Sequence, residues 1–267
     1  MSEEKVLFED HGNVAVIKIN RPDSRNALDS ETVLLINKCT EQAKDKKYRA
    51  VVLTGAGSAF CAGADLREFA DPDKLGTWES VQDSLHNGYH VGLGNLIKMD
   101  KPVLAAVEGP CAGIGCAFLL SCDVVVMGKS SFFQVGFSKI GLIPDGGTNW
   151  LLTRAVGYQK AFRMAAEAQR VNADECVEIG LCSEIAEDGK VLEETMKLAQ
   201  QYADFSPSAI AKTKHLMRDS FDRSYLKNLD VEADTQAGCV GSNDNVEGVT
   251  AFIETVSYTH LRAHETR

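Results

Sequence analysis

Two short segments of this chain combine glycines, small residues and a carboxylate in a way that suits acid–base chemistry on a negatively charged intermediate. The first is Gly113-Ile114-Gly115, which opens a run of small and apolar residues from Cys116 to Cys122 and predicts a buried helix. A helix start offers backbone N–H groups without intrahelical partners, and adjacent glycines let a ligand come close to them. Such a place binds developing negative charge. The second is Asp145, which follows Leu142-Ile143-Pro144 and precedes Gly146-Gly147-Thr148, an acid at a tight turn before the next helical pattern. Asp145 is the candidate base. An aspartate ahead of a helix is also a common N-cap, and on the residues alone that is the competing role.

Both segments lie in the stretch Lys101 to Trp150, where Val103–Val107 and Val124–Met127 are short apolar runs of the kind covered on both faces of a sheet. Upstream, Val14 to Asn20 alternates as a strand and is followed by the loop RPDSRNAL. Asp29 then caps a helix whose apolar positions are Val33, Ile36, Cys39 and Ala43, and Ala50 to Thr54 reads as a buried strand entering GAGSAFCAGADL. Strand, helix, strand recurs, so the fold class is α/β with helices over sheets. Asp71 to Ser80 is a polar insertion, and Val81 to Met99 predicts a helix ending before Lys101-Pro102. The region after Asp145 turns helical, with Asn172 and Ser206-Pro207 as helix starts and few strand signals in the last third. Residues 1–200 form the expected α/β core and 201–256 a C-terminal helical region.

The 267 residues are enough for a substantial core, and 44% hydrophobic with 25% charged residues is ordinary for a globular protein. A net charge of −10 argues against a nucleic-acid partner, which needs a basic face. Eight cysteines without a Cys-x2-Cys pair, and no histidine cluster at ligand spacing, give no metal site and read as reduced buried thiols. The N-terminus lacks an apolar signal core, and no apolar run reaches the ~20 residues of a membrane helix. The expected setting is intracellular, soluble and cytoplasmic, with no membrane partner.

Several segments together resemble the enoyl-CoA hydratase/isomerase, or crotonase, family: NRPDSRNAL at Asn20–Leu28, AVVLTGAGSAFCAGADL at Ala50–Leu66, KPVLAAVEG at Lys101–Gly109 and GLIPDGGT at Gly141–Thr148. Each motif is weak alone, but their order and spacing are specific, and the similarity spans roughly residues 5 to 254. The resemblance implies a spiral of strand-strand-helix repeats with a C-terminal helical trimerisation region, and a homotrimer or hexamer. It implies an acyl-CoA substrate, of which coenzyme A is part, and no separate cofactor. It also implies that a thioester enolate is held by two backbone N–H groups, here those of Ala64 and Ile114. Ser24, Arg25, Ala62, Gly63, Ala64, Asp65 and Leu66 match positions lining the coenzyme site, and Phe137 lies at the acyl end. Arg67 is brought toward a phosphate, although Arg25 and Arg67 read equally well as solvated cations.

The departures from the family decide the expected reaction. Hydratases of this kind use two glutamates, and here their positions hold Ala117 and Phe137. Losing a general acid or base typically forfeits ~10²–10⁴ in rate. Asp145 instead matches the single acid of Δ3,Δ2-enoyl-CoA isomerases and of ring-opening isomerases acting on epoxyphenylacetyl-CoA. The leading expectation is therefore an enoyl-CoA isomerase of fatty acid β-oxidation type. A hydratase, a ring isomerase and a catalytically silent acyl-CoA-binding scaffold remain the alternatives. Phe137, Ile143 and Trp150 are expected to exclude water from Asp145. Asp65 is expected to fix its loop, Asp123 to end a helix, and Glu108 to be structural. His86 and His90 read as a solvated helix face rather than a ligand pair. After about Thr255 the sequence departs from the family pattern; residues 257–267 read as a non-native tail, with which any peroxisomal signal would have been lost.

Overall fold

The computed structural model describes residues 4–69 and 78–264. Two compact units divide the chain, Met1–Asp204 and Phe205–Arg267. In the first, six strands make a sheet in the order β1-β2-β3-β4-β6-β9: β1 (Val6–His11), β2 (Val14–Ile19), β3 (Ala50–Gly55), β4 (Val103–Val107), β6 (Val124–Gly128) and β9 (Glu184–Ala186). A smaller sheet holds β5 (Pro110–Ala112), β7 (Phe132–Gln134) and β8 (Arg170–Asn172). The first unit's helices are α1 (Ser30–Gln42), α2 (Leu66–Phe69), α3 (Trp78–Asp83), α4 (His90–Lys98), α5 (Gly115–Ser121), α6 (Thr148–Val156), α7 (Tyr158–Ala166), α8 (Ala173–Glu178) and α9 (Val191–Asp204).

Alternation along the strands sorts the core onto two faces. Ala15, Ile17, Val51, Leu53, Val103 and Ala105 point toward Val33 and Ile36 of α1 and Leu93 and Leu96 of α4. Val14, Val16, Ala50, Val52, Leu104 and Ala106 point the other way, onto Val191, Ala199 and Ala203 of α9. Buried on both sides, the parallel strands read as continuous apolar runs. β1, a strand not predicted from the sequence, pairs antiparallel with β2 through the turn at Gly12.

The expected spiral is visible in how the chain alternates between sheets. It leaves β4 in the large sheet for β5 in the small one and then enters α5; it leaves β6 for β7 and then enters a 3-10 turn, Phe137–Ile140. β3 begins the same move, passing to a single bridge between Cys61 and Cys111 before α2. Three successive passes thus bring three connecting segments to one edge.

The helix expected over Val81–Met99 is three pieces: α3, a π-helical stretch Ser84–Tyr89, and α4. Close packing on α1 accounts for the break. A Cβ on Gly92 would stand 2.6 Å from Asn37 Oδ1, and the Asn37 side-chain amide donates to the Gly88 carbonyl at 3.0 Å. Of the polar insertion expected at Asp71–Ser80, residues 71–77 lie outside the described residues, and Trp78–Ser80 opens α3. The second unit is helical: α10 (Pro207–Asp219), α11 (Tyr225–Ala237) and α12 (Asn243–His264). Ser206 and Ser224 cap the first two of these, and Met217, Phe221, Tyr225, Leu226, Phe252 and Ile253 are all exposed. No helix among the described residues is long and apolar enough to cross a membrane.

Candidate active site

The bridge between Cys61 and Cys111 sets the register of the site. Cys61 N–H donates to Pro110 O at 3.1 Å and Ala112 N–H donates to Cys61 O at 2.8 Å, the pattern of a parallel pair. The offset is fifty residues (111 − 61 = 50), which sets Gly63 beside Gly113 and Ala64 beside Ile114. The two glycines are in contact: a Cβ on Gly63 would lie 3.5 Å from Gly113 Cα, and one on Gly113 would lie 3.3 Å from Gly63 Cα. Their φ values of +107° and +54° also favour residues without a Cβ.

Around this crossing three backbone N–H groups have acceptors at short range. Leu28 N–H donates to Gly63 O, Asp65 N–H to Leu28 O, and Gly113 N–H to Gln134 O, all between 2.8 and 3.1 Å. The N–H groups of Ala64 and Ile114 meet no acceptor among the described residues. Ile114 is the N-cap of α5, so its amide stands at the positive end of a short helix dipole. Two free amides on neighbouring segments are suited to a thioester oxygen that becomes an oxyanion.

The loop Ser24–Leu28 is built to hold the Ala64 segment. Arg25 and Asn26 both adopt left-handed backbone, with φ of +52° and +56°. Asn26 accounts for this: its side chain accepts Arg21 N–H at 2.9 Å and donates to Ala56 O at 2.9 Å and Ala59 O at 2.6 Å. Ala62 N–H donates to Arg25 O at 3.0 Å, and Leu28 bridges Ala64. Ser24, Arg25, Ala62, Gly63, Ala64, Asp65 and Leu66 therefore lie on two joined segments, with Ala62, Leu66 and Arg25 exposed. Asp65 is buried and serves as a tie: Arg67 reaches it at 2.7 Å and Arg21 at 3.0 Å. The Arg67 hydrogen bonds hold its carboxyl far below the usual carboxylate range, with Arg21 adding to the effect against the cost of burial. Arg67 is therefore engaged in this ion pair, with most of its side chain in solvent.

Asp145 reaches the same place from the third pass. After the 3-10 turn Phe137–Ile140, Gly141 adopts left-handed backbone, and Gly146 and Gly147 follow with φ of +57° and +80°. Gly146 packs tightly: a Cβ there would fall 2.4 Å from Ile114 Cδ1, 2.9 Å from Ala117 Cβ and 3.0 Å from Leu93 Cδ1. The residue next to the acid thus touches the residue that carries one of the free amides.

Asp145 caps no helix. The N-cap of α6 is Gly147, without a side-chain bond, and Asp145 Oδ1 is buried with no hydrogen-bond partner. Burial raises its pKa from 3.8 to about 6, opposed only by its own backbone N–H. A carboxylate poised there is matched to taking up and returning a proton near neutral pH.

The positions of the two hydratase glutamates, Ala117 and Phe137, are buried in the same core as Ile114 and Leu93. Two expected shields are not shields: Ile143 is 77% exposed and Trp150 is 41% exposed, its ring stacked 3.5 Å from the Arg154 guanidinium. Leu93, Ile114 and Ala117 instead pack against Gly146, the residue after the acid, while Ile143 is left outside. Asp123 accepts Val103 N–H at 2.9 Å where α5 ends. Glu108 accepts Gly189 N–H at 3.0 Å and lines a separate cavity of about 310 Å³ with Lys18 and Thr54. His86 and His90 stack edge to face with centroids 5.4 Å apart. Among the described residues no three His, Cys, Asp or Glu side chains gather as a metal site.

Tyr89, which the sequence reading passed over, is buried at the end of the π-helical stretch. Its ring belongs to the core that holds Leu28, Ile114 and Leu93. A wide helical turn of this kind leaves no mark in hydrophobic periodicity.

A family model described as enoyl-CoA hydratase/isomerase matches residues 9–260. A 1,2-epoxyphenylacetyl-CoA isomerase of Escherichia coli K12 is 32% identical over 94% of this chain and 95% of its own length. A 2,3-dehydroadipyl-CoA hydratase of the same organism is 31% identical over 90% and 92%. Among solved structures, an enoyl-CoA hydratase from Polaromonas sp. JS666 superposes with a TM-score of 0.89 at 29% identity, covering 94% of this chain and 97% of its own.

Proposed function

This chain belongs to the enoyl-CoA hydratase/isomerase family, and within that family we propose that it is an acyl-CoA isomerase shifting a double bond from Δ3 to Δ2. The observation that carries the reading is Asp145: a carboxylate with a buried, unpartnered oxygen, on a turn whose Gly146 packs on Ile114, where both hydratase glutamate positions are apolar. The thioester oxygen accepts hydrogen bonds from Ala64 and Ile114 N–H. Asp145 removes a proton from C2, and the C–H pair becomes the C1–C2 double bond of a dienolate whose charge rests on that oxygen. As the carbonyl re-forms, that pair becomes the C2–C3 double bond and the C3–C4 pair is left to take a proton at C4. The same carboxyl group returns the proton to C4, and the conjugated Δ2 thioester leaves. No atom is gained or lost, and one base suffices. Hydration needs in addition a group to activate water, for which Ala117 and Phe137 supply nothing.

In this reading the substrate's coenzyme lies along Ser24, Arg25 and Ala62–Leu66, and the exposed apolar helices of the second unit meet other copies in a trimer or hexamer. The reaction draws on no further cofactor. A second reading, a ring isomerase, is favoured by the name of the 32% identical relative, the 1,2-epoxyphenylacetyl-CoA isomerase. Ultraviolet absorbance tests both, because only the conjugated thioester absorbs strongly. A rise with 3-enoyl-CoA and little loss with 2-enoyl-CoA supports the isomerase. Rapid loss with 2-enoyl-CoA refutes it in favour of a hydratase, and silence toward both, with acyl-CoA bound, redirects the search to ring substrates or a binding protein.

A further inference from the structure

Tyr89 is a buried polar side chain near the acid and the amides that the proposed proton shift does not use. Its position is fixed from both sides. The hydroxyl is directed to Leu28 O at 3.5 Å, and Leu28 is the residue whose N–H and C=O bracket Ala64 by bonding Gly63 O and Asp65 N–H. One turn further along the same helix face, Leu93 packs against Gly146, beside Asp145. Tyr89 thus touches the segment carrying one free amide, and Leu93, four residues on, touches the turn carrying the acid.

The hydroxyl is poorly satisfied where it is. A contact of 3.5 Å is at the long limit of a hydrogen bond, and a phenol buried to 9% exposure ordinarily finds a better partner. For packing alone, phenylalanine fills the same volume without that cost. Burial raises the phenol's pKa, and the nearby Cys61 and Asp145 raise it further, so it stays a neutral donor at any working pH. It also ends a π-helical stretch, a distortion found often at functional sites.

From this geometry we infer that Tyr89 is a specificity-determining residue whose hydroxyl selects acyl groups carrying oxygen close to the reacting carbons over plain hydrocarbon chains. A substrate oxygen entering between Asp145 and the Ala64 segment supplies the acceptor that Leu28 O supplies only weakly. A hydrocarbon chain leaves the hydroxyl unsatisfied in a site that the ligand has dried. Sites that pair a buried polar group with a substrate oxygen discriminate strongly against analogues lacking it. The inference rests on the acyl-CoA reading of the site, and not on proton transfer.

The test is calorimetric binding of saturated thioesters to the full chain: butyryl-CoA, 3-hydroxybutyryl-CoA and 4-hydroxybutyryl-CoA, with wild type and Tyr89→Phe. We expect at least one hydroxyacyl thioester to bind wild type about tenfold tighter than butyryl-CoA, and Tyr89→Phe to erase that preference without weakening butyryl-CoA, which no longer strands a buried hydroxyl. Equal affinities in wild type overturn the inference without need of the variant. Persistence of the preference in Tyr89→Phe overturns it as well. Because the probes do not react, a chain that shows the preference but isomerises nothing loses only the isomerase reading; a chain that binds none of the three loses both.

Discussion

Replacing Asp145 with asparagine separates a buried base from a helix cap, because the first predicts a gain in stability above pH 6 and the second, which asparagine preserves, predicts almost no change. The acid's pKa is raised from 3.8 to about 6 by burial. A raised carboxyl pKa means that the folded state holds its proton more tightly than the unfolded chain. Its contribution is therefore most favourable in acid and is lost as pH rises from about 4 through about 6. A shift of about two units corresponds to about 3 kcal/mol, and partial solvent access reduces this to roughly 1–3 kcal/mol. Asp145→Asn should thus be more stable than wild type by that amount at pH 8 in urea denaturation, and equal to it below pH 4. Catalysis should move the other way. Isomerisation of 3-enoyl-CoA by Asp145→Asn should fall by ~10²–10⁴, while wild-type kcat/KM should rise with pH through about 6 as the base loses its proton. Asp145→Ala sharpens the contrast: a lost N-cap costs ~0.5–2 kcal/mol, whereas relief of a buried charge stabilises. A folded, acyl-CoA-binding Asp145→Asn enzyme that turns over at the wild-type rate, or an Asp145→Ala protein that is less stable at pH 8, would refute the assignment.

Three further outcomes follow from the packing. Gly63→Ala places a Cβ 3.3 Å from Ala112 O at a φ of +107°, so it should cost about 1–3 kcal/mol by denaturation and displace the Ala64 amide, lowering kcat by ~10²–10³. Asp65→Asn removes the tie between Arg21 and Arg67; since the Asp65 pKa is depressed, wild type should be the more stable by about 1–3 kcal/mol at pH 7, with the advantage lost as pH falls below about 4. Ala117→Glu puts an unpaired carboxylate into a fully buried position, and circular dichroism melts should show marked destabilisation with no hydratase activity gained.

What the sequence made legible was whatever depends on local pattern. The strands Val14–Ile19, Ala50–Gly55, Val103–Val107 and Val124–Gly128, the Asp29, Asn172 and Ser206 caps, and the helix start at Gly113 are all read from apolar runs and capping residues. Features set by distant partners were not. The three-residue strands β5, β7, β8 and β9 are too short to show a period, and β1 hides behind its charges. The fifty-residue register that sets Ala64 beside Ile114 is a property of two strands pairing, visible beforehand only through family resemblance. The water-excluding wall was misread for a related reason. Ile143 and Trp150 neighbour Asp145 in sequence, but the apolar residues packed on its turn are Leu93, Ile114 and Ala117, which meet Gly146 from two other helical segments. Tyr89 depends on a π-helical turn that forms because Asn37 of α1 captures the Gly88 carbonyl, a contact between residues far apart in the chain.

The arrangement divides the chemistry between backbone and side chains, and the division explains how relatives with one fold carry names as different as hydratase and epoxide isomerase. The amide pair rests on strand register and on two glycines in contact, so it survives nearly any change of side chain around it. The proton-handling group is free to vary, provided that it reaches the same carbons. In this chain the choice is also constrained by packing. Gly146 lies against Ala117, so a longer side chain at 117 presses on the turn that carries Asp145. An acid on the glycine turn and an acid on α5 therefore compete for one space, and a small residue at 117 is what lets Asp145 be buried without a partner. The absence of a second acid is then part of what sets the first: with no neighbouring charge among the described residues to share a proton, desolvation, opposed by its own backbone N–H, governs the Asp145 pKa, which suits the proposed single base working in both directions.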